Sequence, residues 1–466
     1  MPAWMPPVVL LASESAYSGL EGRVGVYRVR RITGEPAKAI LENLFRGSAV
    51  VAAYDGAAEE ALRVWTEIAR RGVNPFYYMP VDPAEEGFSG GLSLSVLARA
   101  RASLLAAAPS PRVGAVTSNV FGRVVLPVLT SEASCLMLRG CTACVESCPR
   151  DALQGKPPRV DAGSCSGCGV CTAACPVSVL EMPGFSFRPL EYFLDQLPPN
   201  GVLVPVCHSS YARLVKRLSA ESPGRRTVLL PLPCSSWLTP LHALQSLYRG
   251  FSVVSVCDPG DEACSSGYDG ALRGLPAVLE SVSVERAATV IRGIPEATQL
   301  GDSALSISRP ELVHRVARAY SVDALNVGSP AIGDVEVDTV KCMVCDACSA
   351  TCPYGALSLV VEGDRIKLVF DHARCTACHM CEYACPYGAI RVSYTYRADR
   401  YGRRVALADD EVARCRMCGA PLGSMKMMRH VEEQMRRMGA SELALRQLWL
   451  CPKCKLRGLS ESSPGD

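Results

Sequence analysis

The chain has 466 residues, room for roughly three domains, and 48% of them are hydrophobic, enough for real cores. A formal net charge of +3 excludes the strong basic excess of a nucleic-acid binder, and no apolar run approaches the roughly 20 residues of a membrane span. The first residues lack the basic and apolar regions of a secretory leader, so a reducing cytoplasm is expected, where the 24 cysteines bind metal and do not form disulfides.

From the N-terminus, short apolar runs at residues 8–12, 24–29, 49–53 and 76–79 read as strands. Residues 37–46 and 59–71 carry apolar positions at helical spacing. Gly19, Gly22 and Gly25 do not form a dinucleotide fingerprint, because the spacing differs and a strand follows the glycines.

Two cysteine runs come next. Cys135, Cys141, Cys144 and Cys148-Pro149 are followed by Cys165, Cys168, Cys171 and Cys175-Pro176. The second run reads C-x2-C-x2-C-x3-C-P, and the first has five residues between its first two cysteines instead of two.

Further on, residues 202–206, 228–232 and 253–256 read as strands, with helical spacing at 211–218 and 241–248. Alternation of strand and helix implies parallel pairing with right-handed crossovers, a small doubly wound sheet. Cys207, Cys234, Cys257 and Cys264 fall just after these strands or in the loop beyond. The carboxyl ends of parallel strands form the site-bearing edge of such sheets. Four thiols there predict one shared metal site, zinc or an iron–sulfur cluster, against the alternative of ordinary buried thiols.

Two regular runs then repeat the earlier pattern: Cys342, Cys345, Cys348 and Cys352-Pro353, then Cys375, Cys378, Cys381 and Cys385-Pro386. Between them, a segment after Cys352 and its continuation from Arg365 read as a hairpin turning at Glu362-Gly363-Asp364. Both regions resemble two-cluster ferredoxins. In that arrangement three cysteines of one run and the Cys before Pro of the partner run hold one [4Fe–4S] cluster. The pattern implies four clusters. Cys342, Cys345 and Cys348 would pair with Cys385, and Cys375, Cys378 and Cys381 with Cys352. Cys165, Cys168 and Cys171 would pair with Cys148, and the irregular set is Cys135, Cys141 and Cys144 with Cys175. His379, between cluster ligands, is expected to pack or tune a cluster and not to bind metal.

The tail holds two C-x2-C pairs, Cys415 with Cys418 and Cys451 with Cys454, the signature of a four-thiolate zinc site, with rubredoxin-like iron as the alternative. Its sequence resembles zinc-ribbon or rubredoxin-like tails. The insert 425–448 has helical periodicity and a basic face of Lys426, Arg429, Arg436 and Arg437, read as solvated surface.

The chain also repeats itself. LENLFRGSAVVAAYD at 41–55 matches LQSLYRGFSVVSVCD at 244–258, placing Arg46-Gly47 on Arg249-Gly250. VVLLASESAY, ending at Tyr17, lines up with LVPVCHSSY, ending at Tyr211, apart from one residue. The ferredoxin-like runs recur at offsets of 204 to 210 residues, so the chain reads as a tandem duplication. In the first copy Ser13, Arg31, Tyr54 and Ala61 stand where the second has Cys207, Cys234, Cys257 and Cys264.

Residues 206–211 (VCHSSY), 233–235 (PCS) and 256–264 (VCDPGDEAC) resemble the delta subunit of methyl-viologen-reducing hydrogenase, over roughly residues 200–325. That family passes electrons from a hydrogenase to heterodisulfide reductase and is associated with a [2Fe–2S] cluster. Ser210, Asp258 and Ser265 stand where the family has a further cysteine and histidines, and His208 beside Cys207 is a further residue of interest.

The expected fold is multidomain α/β plus α+β. It comprises an α/β unit without ligands (1–128), a two-cluster module (129–185), an α/β unit resembling the hydrogenase subunit (186–335), a second two-cluster module (336–398) and a four-cysteine tail (399–466). The expected function is single-electron transfer between a redox enzyme and ferredoxin or another carrier. The partners would be subunits of a hydrogenase, heterodisulfide-reductase-like, or molybdenum or tungsten enzyme. A self-contained reductase using the central thiols and a non-enzymatic iron–sulfur sensor or scaffold are the alternatives.

Overall fold

A computed structural model describes residues 8–13, 23–24, 27–54, 78–81, 126–182, 187–195, 201–207, 227–232, 237–256, 281–284, 288–291 and 307–460, with isolated positions at 56–71 and 197. The chain divides into two compact units, Met1–Leu138 with Thr142–Ala331, and Arg139–Cys141 with Ile332–Asp466.

The first sheet comprises β1 (Val8–Ala12), β2 (Arg23–Val24), β3 (Tyr27–Arg31), β4 (Ala49–Ala53) and β5 (Tyr78–Val81), in the order β2-β3-β1-β4-β5. Strands β3, β1, β4 and β5 are parallel. The run expected at 24–29 is instead two short strands paired antiparallel, Val24 opposite Tyr27. Every residue of β4 is buried, as in a sheet covered on both faces. Helix α1 (Pro36–Phe45) buries Ala37, Ile40 and Leu44, one stripe at helical spacing, in the same core as Val9, Leu11 and Val50. The helix expected at 59–71 lies mostly outside the described residues.

The first cysteine module carries β6 (Val128–Leu129), a 3₁₀ turn Leu136–Arg139, α2 (Ala143–Glu146), the hairpin β7 (Leu153–Gln154) and β8 (Arg159–Val160), α3 (Val170–Ala174) and β9 (Leu180–Glu181), which pairs with β6.

Helix α4 (Phe187–Asp195) leads to the second sheet: β10 (Val202–Cys207), β11 (Thr227–Leu232), β12 (Ser252–Val256), β13 (Ser281–Val284) and β14 (Ala288–Ile291), in the order β11-β10-β12-β14-β13. Here β11, β10 and β12 are parallel, but β14 runs antiparallel to β12 and pairs with β13 as a hairpin. The expectation of an all-parallel unit is therefore corrected to a mixed sheet. A hairpin needs no crossover helix, so the three residues between β13 and β14 suffice. The helix expected at 211–218 lies outside the described residues.

Helix α5 (Pro240–Tyr248) is buried along its whole length, and Thr239 caps it by accepting from the His242 amide. Both α1 and α5 end on Arg-Gly. Gly47 (φ 80°) and Gly250 (φ 83°) adopt the left-handed turn that closes a helix. The bonds correspond: Gly47 N to Leu44 O and Ser48 N to Asn43 O in one, Gly250 N to Leu247 O and Phe251 N to Ser246 O in the other. The next elements are α6 (Arg309–Ala319) and β15 (Ala324–Asn326).

The second compact unit begins with β16 (Asp334–Val337), α7 (Ala347–Thr351), β17 (Leu357–Glu362), β18 (Arg365–Asp371), α8 (Met380–Ala384), β19 (Ile390–Ser393) and β20 (Thr395–Arg397). The expected hairpin forms, Leu357 opposite Phe370 and Glu362 opposite Arg365. It is extended by the long strand β21 (Arg404–Arg414) and then β22 (Pro421–Ser424) into a four-stranded sheet. Three helices finish the described chain: α9 (Met425–Arg437), α10 (Glu442–Leu448) and α11 (Pro452–Ser460).

Candidate metal centres

Each cluster loop is set up by a turn four residues ahead of its first cysteine. Asp161, Asp338 and Asp371 stand four residues before Cys165, Cys342 and Cys375 and accept from the amides of Gly163, Val340 and Ala373 at 3.1, 3.0 and 3.1 Å. Such side-chain turns fix the backbone without regular structure. The Ser164 hydroxyl donates to Asp161 and holds its carboxyl below the usual range, and the Lys341 amide does the same for Asp338. The irregular run keeps the position with a hydroxyl: Ser131 accepts from the Ser134 amide at 3.2 Å, directly before Cys135. Sequence reading missed these residues; the spacing D-x3-C, present three times, is the signal that marks them.

The three regular loops then share one backbone form. The second and fourth residues after the first cysteine are left-handed: Gly167 and Gly169 (φ 69° and 75°), Val344 and Asp346 (49° and 73°), Ala377 and His379 (54° and 58°). These steps cost strain at non-glycine positions and are held by the surrounding structure. The irregular run departs here. Its five intervening residues hold the 3₁₀ turn, and Thr142, after Cys141, has φ −122° instead of a left-handed value.

The Cys-Pro turns are uniform across all four runs. The third residue after the cysteine is left-handed: Asp151, Ser178, Gly355 and Gly388 (φ 49°, 48°, 59° and 57°). In three of them an amide donates back to the sulfur, Ala152 to Cys148 at 3.3 Å, Ala356 to Cys352 at 3.2 Å and Ala389 to Cys385 at 3.3 Å. An N–H aimed at sulfur stabilises its charged form.

These turns bring sulfurs together across runs. Cys342, Cys345, Cys348 and Cys385 line one pocket, and Cys148, Cys165, Cys168 and Cys171 line another. Cys375, Cys378 and Cys381 each lie within electrostatic reach of Cys352. Cys135, Cys144 and Cys175 pack in one apolar cluster, while Cys141 belongs to the short piece Arg139–Cys141 of the second compact unit. Burial pushes the Cys348 and Cys375 thiols up to about 12, and moves those of Cys165, Cys171, Cys342, Cys378 and Cys381 upward. Buried thiolates need a compensating cation, and a cluster's iron supplies one. The His379 ring pairs with Glu382 at 2.9 Å and meets Tyr394 edge-on, so it packs beside the loop, as expected.

Residues 341–389 match the 4Fe-4S dicluster domain, and residues 158–181 the 4Fe-4S binding domain. The chain carries two 4Fe-4S ferredoxin-type domains. Such domains point to iron–sulfur electron transfer. The dicluster match spans both runs of the second module; the other spans the regular run of the first and not Cys135, Cys141, Cys144 or Cys148. No curated protein matches the chain.

A second kind of site lies in the tail. The sulfurs of Cys415, Cys418, Cys451 and Cys454 all fall within 4.8 Å of one another. Metal–sulfur bonds of about 2.3 Å set tetrahedral sulfurs about 3.8 Å apart, and Cys418 and Cys451 stand at 3.6 Å. The Cys451 amide donates to Cys415 Sγ at 3.3 Å and holds that thiol at about 6, well below its ordinary value. Cys415 and Cys418 sit in the turn from β21 to β22, closed by left-handed Gly419. Cys451 and Cys454 sit at the start of α11. The first pair is thus presented by a strand-to-strand turn and the second by a helix. Helix α9 also touches the neighbouring cluster loop. Ser424 donates to the Met343 carbonyl, Lys426 Nζ to the Thr339 carbonyl at 3.3 Å, and the Tyr387 hydroxyl meets Met427 Sδ at 3.5 Å. Lys426, expected to be plain surface, is therefore a tether.

Of the central cysteines, Cys207 ends β10, opposite Leu232 of β11 in the register. Cys234, Cys257, Cys264 and His208 lie outside the described residues.

Among the described residues no helix is long and apolar enough to cross a membrane.

Proposed function

We propose that this chain is an electron-transfer protein of four [4Fe–4S] clusters, with ligands paired as the spacing implies. The observation that carries the reading is the convergence of Cys342, Cys345 and Cys348 with Cys385, and of Cys165, Cys168 and Cys171 with Cys148. In each set three ligands from one loop meet the Cys-Pro of the partner run. One cluster gives up a single electron and the next takes it up; the chain's own amides and burial set each potential. The fourth set, Cys135, Cys141, Cys144 and Cys175, completes the count, supported by the Ser131 turn and the common Cys-Pro geometry.

The tail thiols hold zinc in this reading, since a closed four-thiolate site without an open position is structural. The chain arose by duplication of an α/β-plus-ferredoxin unit. The matched Arg-Gly helix ends and the shared placement of β1 and β10 between two parallel neighbours support this. Cys207, Cys234, Cys257 and Cys264 hold a [2Fe–2S] cluster, and this site is where a redox subunit of a hydrogenase or heterodisulfide-reductase-type complex docks. The resemblance over residues 200–325 supports that partner class.

Anaerobic purification with metal analysis tests the reading. Co-purification with a flavin-, nickel-, molybdenum- or tungsten-containing subunit is the expected result. Turnover of a small disulfide by the lone chain with a reduced dye would favour a self-contained reductase instead.

A further inference from the structure

The three regular loops place a left-handed residue directly after their second cysteine: Gly169, Asp346 and His379. Asp346 and His379 show that this backbone accepts a side chain. Gly169 has no room for one. A Cβ built there would lie 2.7 Å from Trp237 Cδ1 and 3.3 Å from Nε1. Trp237 comes from the segment between β11 and α5, and it is 1% exposed. Its indole N–H donates to the Gly167 carbonyl at 2.8 Å. That carbonyl shares a peptide with the amide of Cys168. One side chain therefore makes two separate contacts with one cluster loop: a ring edge against Gly169 and a hydrogen bond at Gly167.

We propose that Trp237 is a positioning residue for the cluster of Cys148, Cys165, Cys168 and Cys171, closing it from water and fixing the Gly167–Cys168 peptide. The inference rests on the cluster assignment proposed above. The two contacts act on the reduction potential with opposite sign. A reduced cluster carries one more negative charge, which water would stabilise, so excluding water lowers the potential. Donation to the Gly167 carbonyl polarises the peptide and strengthens the Cys168 amide as a donor towards that charge, which raises it.

Redox titration of the iron- and sulfide-reconstituted full chain, followed by EPR, separates these effects. Trp237→Ala should move one cluster signal to higher potential and leave the others in place. Trp237→Phe keeps the ring and loses the donor, so the same signal should move lower by a smaller step. Gly169→Ala should displace the ring and move that signal upward, with no further effect once Trp237 is Ala. If the Ala variant does not fold, the Phe variant still carries the test. Fully loaded variants with unmoved signals, a shift shared by every signal, or a downward shift in Trp237→Ala would overturn the inference. A wild-type chain without cluster signals would instead defeat the assignment on which it rests.

Discussion

Three of the four cysteine loops in the two ferredoxin-type modules share one backbone form, and the modules are covered by different parts of the chain. In the second, both cysteine loops have the paired left-handed residues. There the backbone at Gly333 presses on one loop, and α9 presses on the other. In the first, the regular loop is covered by Trp237, while the other has a 3₁₀ turn and no left-handed step after Cys141. Ligand spacing thus specifies the loop, and the cover comes from sequence far outside the motif. The cover governs burial, and burial is one of the levers on cluster potential.

That contrast is easiest to break at the ligands. Cys381→Ser in the second module should remove one cluster, about four irons per chain by metal analysis. Cys135→Ser should cost the same four irons if the irregular loop holds a cluster. Unchanged iron in that variant would show that the modules differ in cluster number and not just in cover.

The tail offers the next largest effect. Structural zinc binds with about 10–16 kcal/mol of apparent free energy, part of it coupled to folding. Cys418→Ser, or chelation, should therefore lower the melting temperature markedly. It should also shift the signal of the Cys342, Cys345, Cys348 and Cys385 cluster, because Ser424 and Lys426 tie α9 to that loop. A melting loss with every potential unchanged would separate tail from cluster.

Gly333→Ala probes the cover of the second module. The added Cβ would sit 2.8 Å from Ala377 Cβ and 2.9 Å from Cys375 Sγ. Overpacking of this kind costs about 1–3 kcal/mol, readable as a denaturation midpoint shift, with a change confined to the cluster of Cys375, Cys378 and Cys381.

The smallest effect is on pH dependence. Asp161 and Asp338 are held below the usual carboxylate range by their donors. Their contribution is fully present above the unfolded value of about 3.9 and fades as pH falls through their lower folded values. Asn at both positions keeps the turn acceptor and loses the advantage of the charged form, so it should lower the melting temperature slightly at neutral pH, change it least at the most acidic pH, and flatten the profile between.

Much of this was legible in the chain. The hairpin turning at Gly363-Asp364 follows from its alternating pattern and turn residues, and the matched Arg-Gly helix ends follow from the repeat. Three things were not. The antiparallel hairpin β13–β14 hides because short apolar strands read alike in either direction. The extension of the cluster hairpin by β21 hides because Arg404–Arg414 is rich in charge. Trp237 hides because a contact across 70 residues leaves no local pattern.

In the proposed reading, the cysteines converging in these loops hold [4Fe–4S] clusters that carry single electrons. Iron and acid-labile sulfide analysis of the anaerobically reconstituted chain, with EPR after reduction, tests it most directly. Four clusters predict about 16 irons and as many sulfides in the ferredoxin-type modules, with signals that appear on one-electron reduction. A folded chain that takes up zinc in these modules, with no sulfide and no such signal, would contradict it.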